Sequence, residues 1–409
     1  MRILLVTILL STFTVGSASI TRVCEGCDVK NLKQAVSLSS AGDTILLEPG
    51  SYICENLEIT KPLTIIGKDG AVLDGNMTGY VLKLLADSIR ISGLKIINAG
   101  RSYTKDFAAI YTFRANHFII EDNIIVDPFF GLLIEKSKHG VVRNNVIYGT
   151  SVKEDETGNG IHGWHCSNLQ IHDNEVYNMR DGIYLEFVDE SEIKNNHAHD
   201  NIRYGLHFMF SNHDQYLNNR FEQNGAGVAV MFSKFIVMKE NQFVNNWGPA
   251  SYGLLLKEIY DAEVVDNEFI ENTMAVFIDG TTRINYTGNT FRKNGWAIKV
   301  SGGCYANHIY GNDFAGNSFD VSYNSKMNDN TFNGNYWSAY TGYDLDKDGV
   351  GDVPYRPVKL FSYIVNQTPE TIILLRSLFV DIMNFSERVS PVFTPDNLVD
   401  QSPSMRSFK

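Results

Sequence analysis

A short phrase with asparagine at its second position returns along this chain and constrains its fold more than any other feature. It reads DNIIV at Asn123, NNVIY at Asn145, DNEVY at Asn174, NNHAH at Asn196 and NNRFE at Asn219. It continues as ENQFV at Asn241, DNEFI at Asn267, GNTFR at Asn289, GNDFA at Asn312 and DNTFN at Asn330. The successive spacings are 22, 29, 22, 23, 22, 26, 22, 23 and 18 residues. A period near 22 with alternating apolar residues marks a β-solenoid, in which each repeat is one coil. Stacked asparagines satisfy one another, since each amide donates to one neighbour and accepts from the other. Asparagine also tolerates the bent backbone of a turn. A helical repeat fails because the alternation has the period of a strand. The two long intervals locate loops, an acidic one over Thr150 to Asn159 and another around NWGPAS, Asn246 to Ser251.

The segments DTILLEPGSY, LTIIGKDGAVLDGN and SIRISGLKIIN read as earlier coils. NLKQAVSLS before them reads as a short amphipathic helix, and an open solenoid end needs such a cover because it is an exposed sheet edge. The expected fold is all-β: a right-handed parallel β-helix of about twelve coils over residues 43–337, roughly 55–60 Å long at ~4.8 Å per coil. Residues 19–42 form the N-terminal segment and cap, and a helical extension follows at the C-terminus.

Aligning the strand that opens successive repeats assigns its faces. The segments are GIHGWH from Gly160, GIYLEF from Gly182, GLHFMF from Gly205, GVAVMF from Gly227, GLLLKE from Gly253 and AVFIDG from Ala275. Their second and fourth columns are almost wholly apolar, so they point inward. The third and fifth columns then point outward: His162/Trp164, Tyr184/Glu186, His207/Met209, Ala229/Met231, Leu255/Lys257 and Phe277/Asp279. Met209 and Met231 stand on adjacent coils outside the core. His207 is beside them, Glu186 is one coil below, His162 is nearby, and His213 is at the following turn. Thioether with imidazole is a ligand set suited to copper, Cu(I) above all. Packing under a neighbouring loop also accounts for an outward methionine, and the residues alone leave both open. Zinc would favour a Cys/His spacing that is absent. His117, His139 and His308 read as surface or turn residues. His172, His197 and His199 fall in turn columns, where His197 and His199 offer a second cation site or a solvated surface.

The chain opens MRILLVTILLSTFTVGSAS, with Arg2 before an apolar run and small residues Gly16, Ser17 and Ala18. This is a secretory signal, cleaved near Ala18, which places the mature protein outside the cytoplasm. The net charge of −12 and the lack of a basic run exclude a nucleic-acid surface. Five cysteines are too few for a disulfide framework. Cys24 and Cys27 form a CxxC that fits a local disulfide, a pairing of one with Cys54, or a thiol metal site. The disulfide is favoured in an exported chain, with Cys166 and Cys304 as buried thiols.

After the last coil, YDLDKDGVGDVPYRP places Asp344, Asp346 and Asp348 at alternate positions, then Gly349 and Asp352. Over residues 338–357 this predicts a loop around structural Ca²⁺, though Tyr355 stands where an EF-hand has glutamate. A solvated acidic turn is the other reading. TPETIILLRSLFVDIMNFSERVSP then reads as one helix, capped by Thr368, with Pro369 in its first turn and Pro391 beyond its end. Its charges make a bilayer span unfavourable. Within residues 358–409 it is a cap on the last coil or a docking element, followed by an extended polar tail.

The motifs RYGLHFMFSNH, NGAGVAVMFS, NWGPASYGLLLKE and LFSYIVNQTPETIILLRSLFV…ERVSPVFTPDNLVD resemble the NosD family, across nearly all the mature chain. The resemblance implies a periplasmic parallel β-helix that docks on an ABC transporter built of an ATPase and a membrane subunit. It further implies a non-enzymatic part in assembling the copper centres of nitrous oxide reductase, with copper arriving from a lipoprotein chaperone. That favours copper over loop packing at His207, Met209 and Met231. The alternative is a carbohydrate-acting β-helix, a polysaccharide lyase or hydrolase or a sugar-binding module, for which Glu186, Lys257 and Asp279 are sparse.

Overall fold

The computed structural model describes residues 18–102, 104–150, 152–323, 329–389 and 398–409. The secretory signal expected over residues 1–18 lies outside them except for its last residue.

The described strands form three parallel sheets of 14, 13 and 12 strands, and from Thr44–Leu47 onward sequence-consecutive strands fall in successive sheets. The chain therefore winds as a solenoid: Thr44–Leu47 lies in the first sheet, Gly50–Ile53 in the second, Leu57–Ile59 in the third, and Thr64–Gly67 returns to the first. There are about fourteen coils rather than about twelve. One addition is Ile20–Val23, which precedes the capping helix and pairs in parallel with Thr44–Leu47. The helix Leu32–Leu38 forms as the sequence predicts. Asn31 caps it by accepting from the Gln34 N–H, and Leu32, Ala35 and Val36 are buried.

The asparagine ladder is real and continuous. The Nδ2 of Asn123, Asn145, Asn174, Asn196, Asn219, Asn241, Asn267, Asn289 and Asn312 each donates to the Oδ1 of the next member at 2.9–3.0 Å. Two features differ from expectation. The residue after Asn312 is Asn335, not Asn330, whose Oδ1 accepts instead from Asn307. This removes the anomalous spacing of 18. The bent backbone also belongs to the residue before each of these ladder asparagines: Asp122, Asn144, Asp173, Asn195, Asn218, Asp266 and Gly288, and with them Glu240, have φ between 51° and 65°. Asp, Asn and Gly reach that left-handed region at least cost, which explains the first letter of the repeated dipeptide. A second ladder runs Asn201, Asn224, Asn246, Asn272, Asn294, Asn317. Asn246, expected to open a loop, is thus a buried rung. Inside the second sheet Phe221, Phe243, Phe269, Phe291, Phe314 and Trp337 stack with centroids 4.1–5.5 Å apart.

Cys24 and Cys27 are disulfide-bonded, and Cys54, Cys166 and Cys304 are buried free thiols. Burial raises the Cys54 thiol to about 12 and Cys166 to about 11.

The C-terminal helix is not the single one expected. Leu360–Gln367 and Leu378–Val389 are α-helical, with a 3₁₀ turn Pro369–Leu374 between them. Pro369 lacks an N–H and disfavours helical backbone in the residue before it. Thr368 accordingly ends the first helix, and its side chain makes no N-cap hydrogen bond. Phe361, Val365 and Val380 pack on Phe319 of the third sheet. Leu378, Phe379, Ile382 and Phe385 remain exposed. No described helix is long and apolar enough to cross a membrane.

Candidate functional site

The third sheet carries the outward columns in the register that the sequence predicts. Tyr184 pairs with His207 and Glu186 with Met209; His207 pairs with Ala229 and Met209 with Met231; Met231 pairs with Lys257 and Lys257 with Asp279. The intervening residues Ile183, Leu185, Leu206, Phe208, Val228 and Val230 are fully buried. Strand alternation therefore puts His207, Met209 and Met231 on the outer face. Both methionines are half-buried.

His207 is only 7% exposed although it points outward. Its ring packs against Tyr204 at 4.8 Å and Tyr184 at 5.0 Å. Nδ1 lies 3.8 Å from Asp181 Oδ2, beyond hydrogen-bond reach, and neither ring nitrogen has a hydrogen-bond partner. Such orphaned buried nitrogens are uncommon and costly unless something else engages them. Asp181 itself is 1% exposed, with both oxygens unpartnered. Arg203 stands 3.9 Å from it and reaches Glu154 of the acidic loop at 3.2 Å. The loop expected from the first long interval is thus tied down beside the strip. Sequence reasoning missed Asp181. The available signal was a carboxylate before Gly182, at a position held by Tyr204 and Ala226 in the next coils.

The remaining predicted copper residues are distributed differently. Glu186 accepts from the Tyr184 hydroxyl at 3.2 Å and is the register neighbour of Met209. His162 is separated from His207 by the Tyr184 ring, which lies 4.7 Å from one and 5.0 Å from the other. Burial, with Arg180 adding to it, lowers the His162 pKa to about 4, so the ring is neutral. His213 is not brought to the strip. It is exposed, stacks on Phe235 at 4.9 Å, and lines a recess with His139, Glu190 and Glu192. A turn with φ of +60° at His213 carries it around the corner.

An exposed aromatic column also borders the methionines and was not anticipated. His165, Phe187, Phe210 and Phe232 stack at 4.6–5.1 Å. Phe210 and Phe232 directly follow Met209 and Met231, and positive φ swings them outward.

At the end of the solenoid, Asp344, Asp346 and Asp348 offer carboxylate oxygens within 4.8 Å of one another. Asp352, expected as a fourth ligand, accepts from the Leu345 N–H at 2.8 Å.

A family model described as "Periplasmic copper-binding protein (NosD)" matches residues 147–342. A protein of Pseudomonas aeruginosa named "Probable ABC transporter binding protein NosD" is 29% identical over 88% of this chain and 87% of its own length. Its namesake from Stutzerimonas stutzeri is 27% identical over 85% and 84%. Among solved structures, the A-module of the Azotobacter vinelandii mannuronan C-5 epimerase AlgE6 aligns with a TM-score of 0.64 at 14% identity, covering 75% of this chain and 93% of that one. The catalytic unit of a Streptomyces thermodiastaticus α-1,3-glucanase aligns at 0.62 and 14%, covering 80% and 68%. Likeness at that identity concerns the fold alone. The family model covers just under half of the chain, its central coils, and the two relatives span most of its length, so the chain is similar to NosD proteins along most of its sequence.

Proposed function

We propose that this is a periplasmic copper-binding accessory protein that works with an ABC transporter and carries Cu(I) on the outer strip of its third sheet, at His207, Met209 and Met231. The observation that carries the reading is His207, buried with both ring nitrogens unpartnered, on the same strand face as a register-paired methionine couple. Two thioethers and an imidazole are soft enough for Cu(I). Asp181 beside Nδ1 is placed to orient the ring, as carboxylates do for metal-bound histidines. Glu186 borders the strip, with His162 beyond Tyr184.

Its partners are the ATPase and membrane subunits of the transporter, a copper-chaperone lipoprotein that supplies the ion, and nitrous oxide reductase, whose copper centres it helps assemble. The half-exposed methionines suit such a relay because an incoming donor can replace them one at a time. The apolar face left open by Leu378, Phe379, Ile382 and Phe385 supports docking on the membrane subunit, so membrane association runs through the transporter. Asp344, Asp346 and Asp348 hold a structural Ca²⁺ beside that extension.

Anaerobic Cu(I) titration of the mature protein against a competing chelator tests the reading, in wild type and in the Met209→Ala/Met231→Ala variant. Tight binding lost in the variant supports it. Tight binding unchanged in the variant removes copper from the strip.

A further inference from the structure

A second cluster lies on the second sheet, away from the strip. His197 and His199 are two residues apart on one strand with Ala198 buried between them, so both imidazoles point outward. Their centroids are 4.3 Å apart. Glu175 is the register neighbour of His197 one coil below, and Glu222 that of His199 one coil above. We propose that Glu175, His197 and His199 form a second metal site, one that takes a divalent transition ion rather than Cu(I).

The geometry around His199 carries the argument. Its Nδ1 lies 2.7 Å from Asp200 Oδ2 and its ring is stacked on Tyr177 at 4.8 Å, which fixes the orientation of the ring. That orientation turns Nε2 toward Glu175 Oε1, 3.4 Å away, a separation that two metal–ligand bonds of about 2.1 Å can span. On the other side, His197 Nε2 lies 3.4 Å from Glu222 Oε2 without an aligned hydrogen bond, and it is a buried atom with no partner. Arg220 holds Glu222 at 2.8 Å, so Glu222 flanks the site and Glu175 is the carboxylate ligand.

One ligand atom from each of Glu175, His197 and His199 lies within 4.8 Å of the other two. Metal–ligand bonds of about 2.0–2.2 Å require these atoms to close in slightly. The exposed Glu175 side chain is free to rotate and do so. Asp200 acts as the outer carboxylate that fixes tautomer and ring orientation. Two imidazoles and a carboxylate without sulfur select Cu(II), Zn(II) or Ni(II) over Cu(I), the reverse of the methionine strip.

The test uses the mature, untagged protein with Cu(II) under air, read by electron paramagnetic resonance, and with Zn(II), read by calorimetry. One Cu(II) per chain with hyperfine coupling to two nitrogens is expected. Zn(II) affinity is expected to fall at least 30-fold in His197→Gln/His199→Gln and about 10-fold in the surface variant Glu175→Gln. In Met209→Ala/Met231→Ala both signals stay as in wild type, so the two sites are scored separately. Circular dichroism checks that each variant is folded. Wild-type Zn(II) binding in the folded double histidine variant, or a Cu(II) spectrum without two-nitrogen coupling, overturns the proposal.

Discussion

The Asp400 carboxylate accepts from Asn335 Nδ2 at 3.0 Å and so stands where the next asparagine of the ladder would be. The same carboxylate accepts from the N–H groups of Gly334 and Asn335 and from the Trp337 indole at 2.9 Å each. The tail expected to be extended is, over its described part, a cap: Asp400 bridges to Phe332 and Tyr355, and Ser404 to Tyr336. Asp400→Ala leaves these donors without a partner. A loss of roughly 3 kcal/mol is expected, since each orphaned buried group costs about 1–3 kcal/mol and water reaches the end coil. Urea unfolding reads the loss, and hydrogen exchange should rise first at Asp329–Trp337.

Asn218 and Asn219 are adjacent yet play different parts. Asn219 donates to Ile193 O and Asn241 Oδ1 and accepts from Asn196, all inside the solenoid. Asn218 is exposed and supplies the turn, with φ of 51°. Asn219→Ala should cost about 2–4 kcal/mol. Asn218→Ala should cost about 1 kcal/mol or less, since both residues carry a Cβ and the change removes only the local hydrogen bonding that lets asparagine tolerate left-handed backbone and an exposed hydrogen bond to Asn195. Equal losses in urea unfolding would show that the ladder is not what stabilises the coil.

The His162 pKa is lowered from an ordinary 6.5 to about 4, by burial first and Arg180 second. The unfolded chain then binds more protons than the folded one between those values, so stability rises with pH. The contribution is complete above about 6.5 and is lost as pH falls toward 4, amounting to at most about 3 kcal/mol. Thermal melts from pH 7 to pH 4.5 should slope downward, and more shallowly in His162→Phe. An unchanged slope in the variant would assign the acid sensitivity to other groups.

Asp344, Asp346 and Asp348 converge without a basic partner inside the triad. Calcium at 100 times its dissociation constant should stabilise the folded protein by about 2.7 kcal/mol. Asp346→Asn should remove most of that gain. A thermal midpoint indifferent to calcium and to chelator would leave the loop as a solvated acidic turn.

The sequence by itself determined the solenoid, its coil length and the two faces of the third-sheet strand. These follow from short-range rules, because side chains alternate along a strand and a one-residue slip would turn His207 into the core and Phe208 onto the outer face. The repeated dipeptide was legible for the same reason, each letter answering to a local backbone need. What the tertiary structure decided depends on contacts between coils or between distant segments. Asn335 rather than Asn330 continues the ladder because of how the last coils stack. Asp181 meets His207 because consecutive coils lie a strand spacing apart. His213 leaves the strip because a left-handed turn carries it around a corner. Asp400 closes a ladder 65 residues upstream at Asn335, and no periodicity along the chain encodes a partner at that distance.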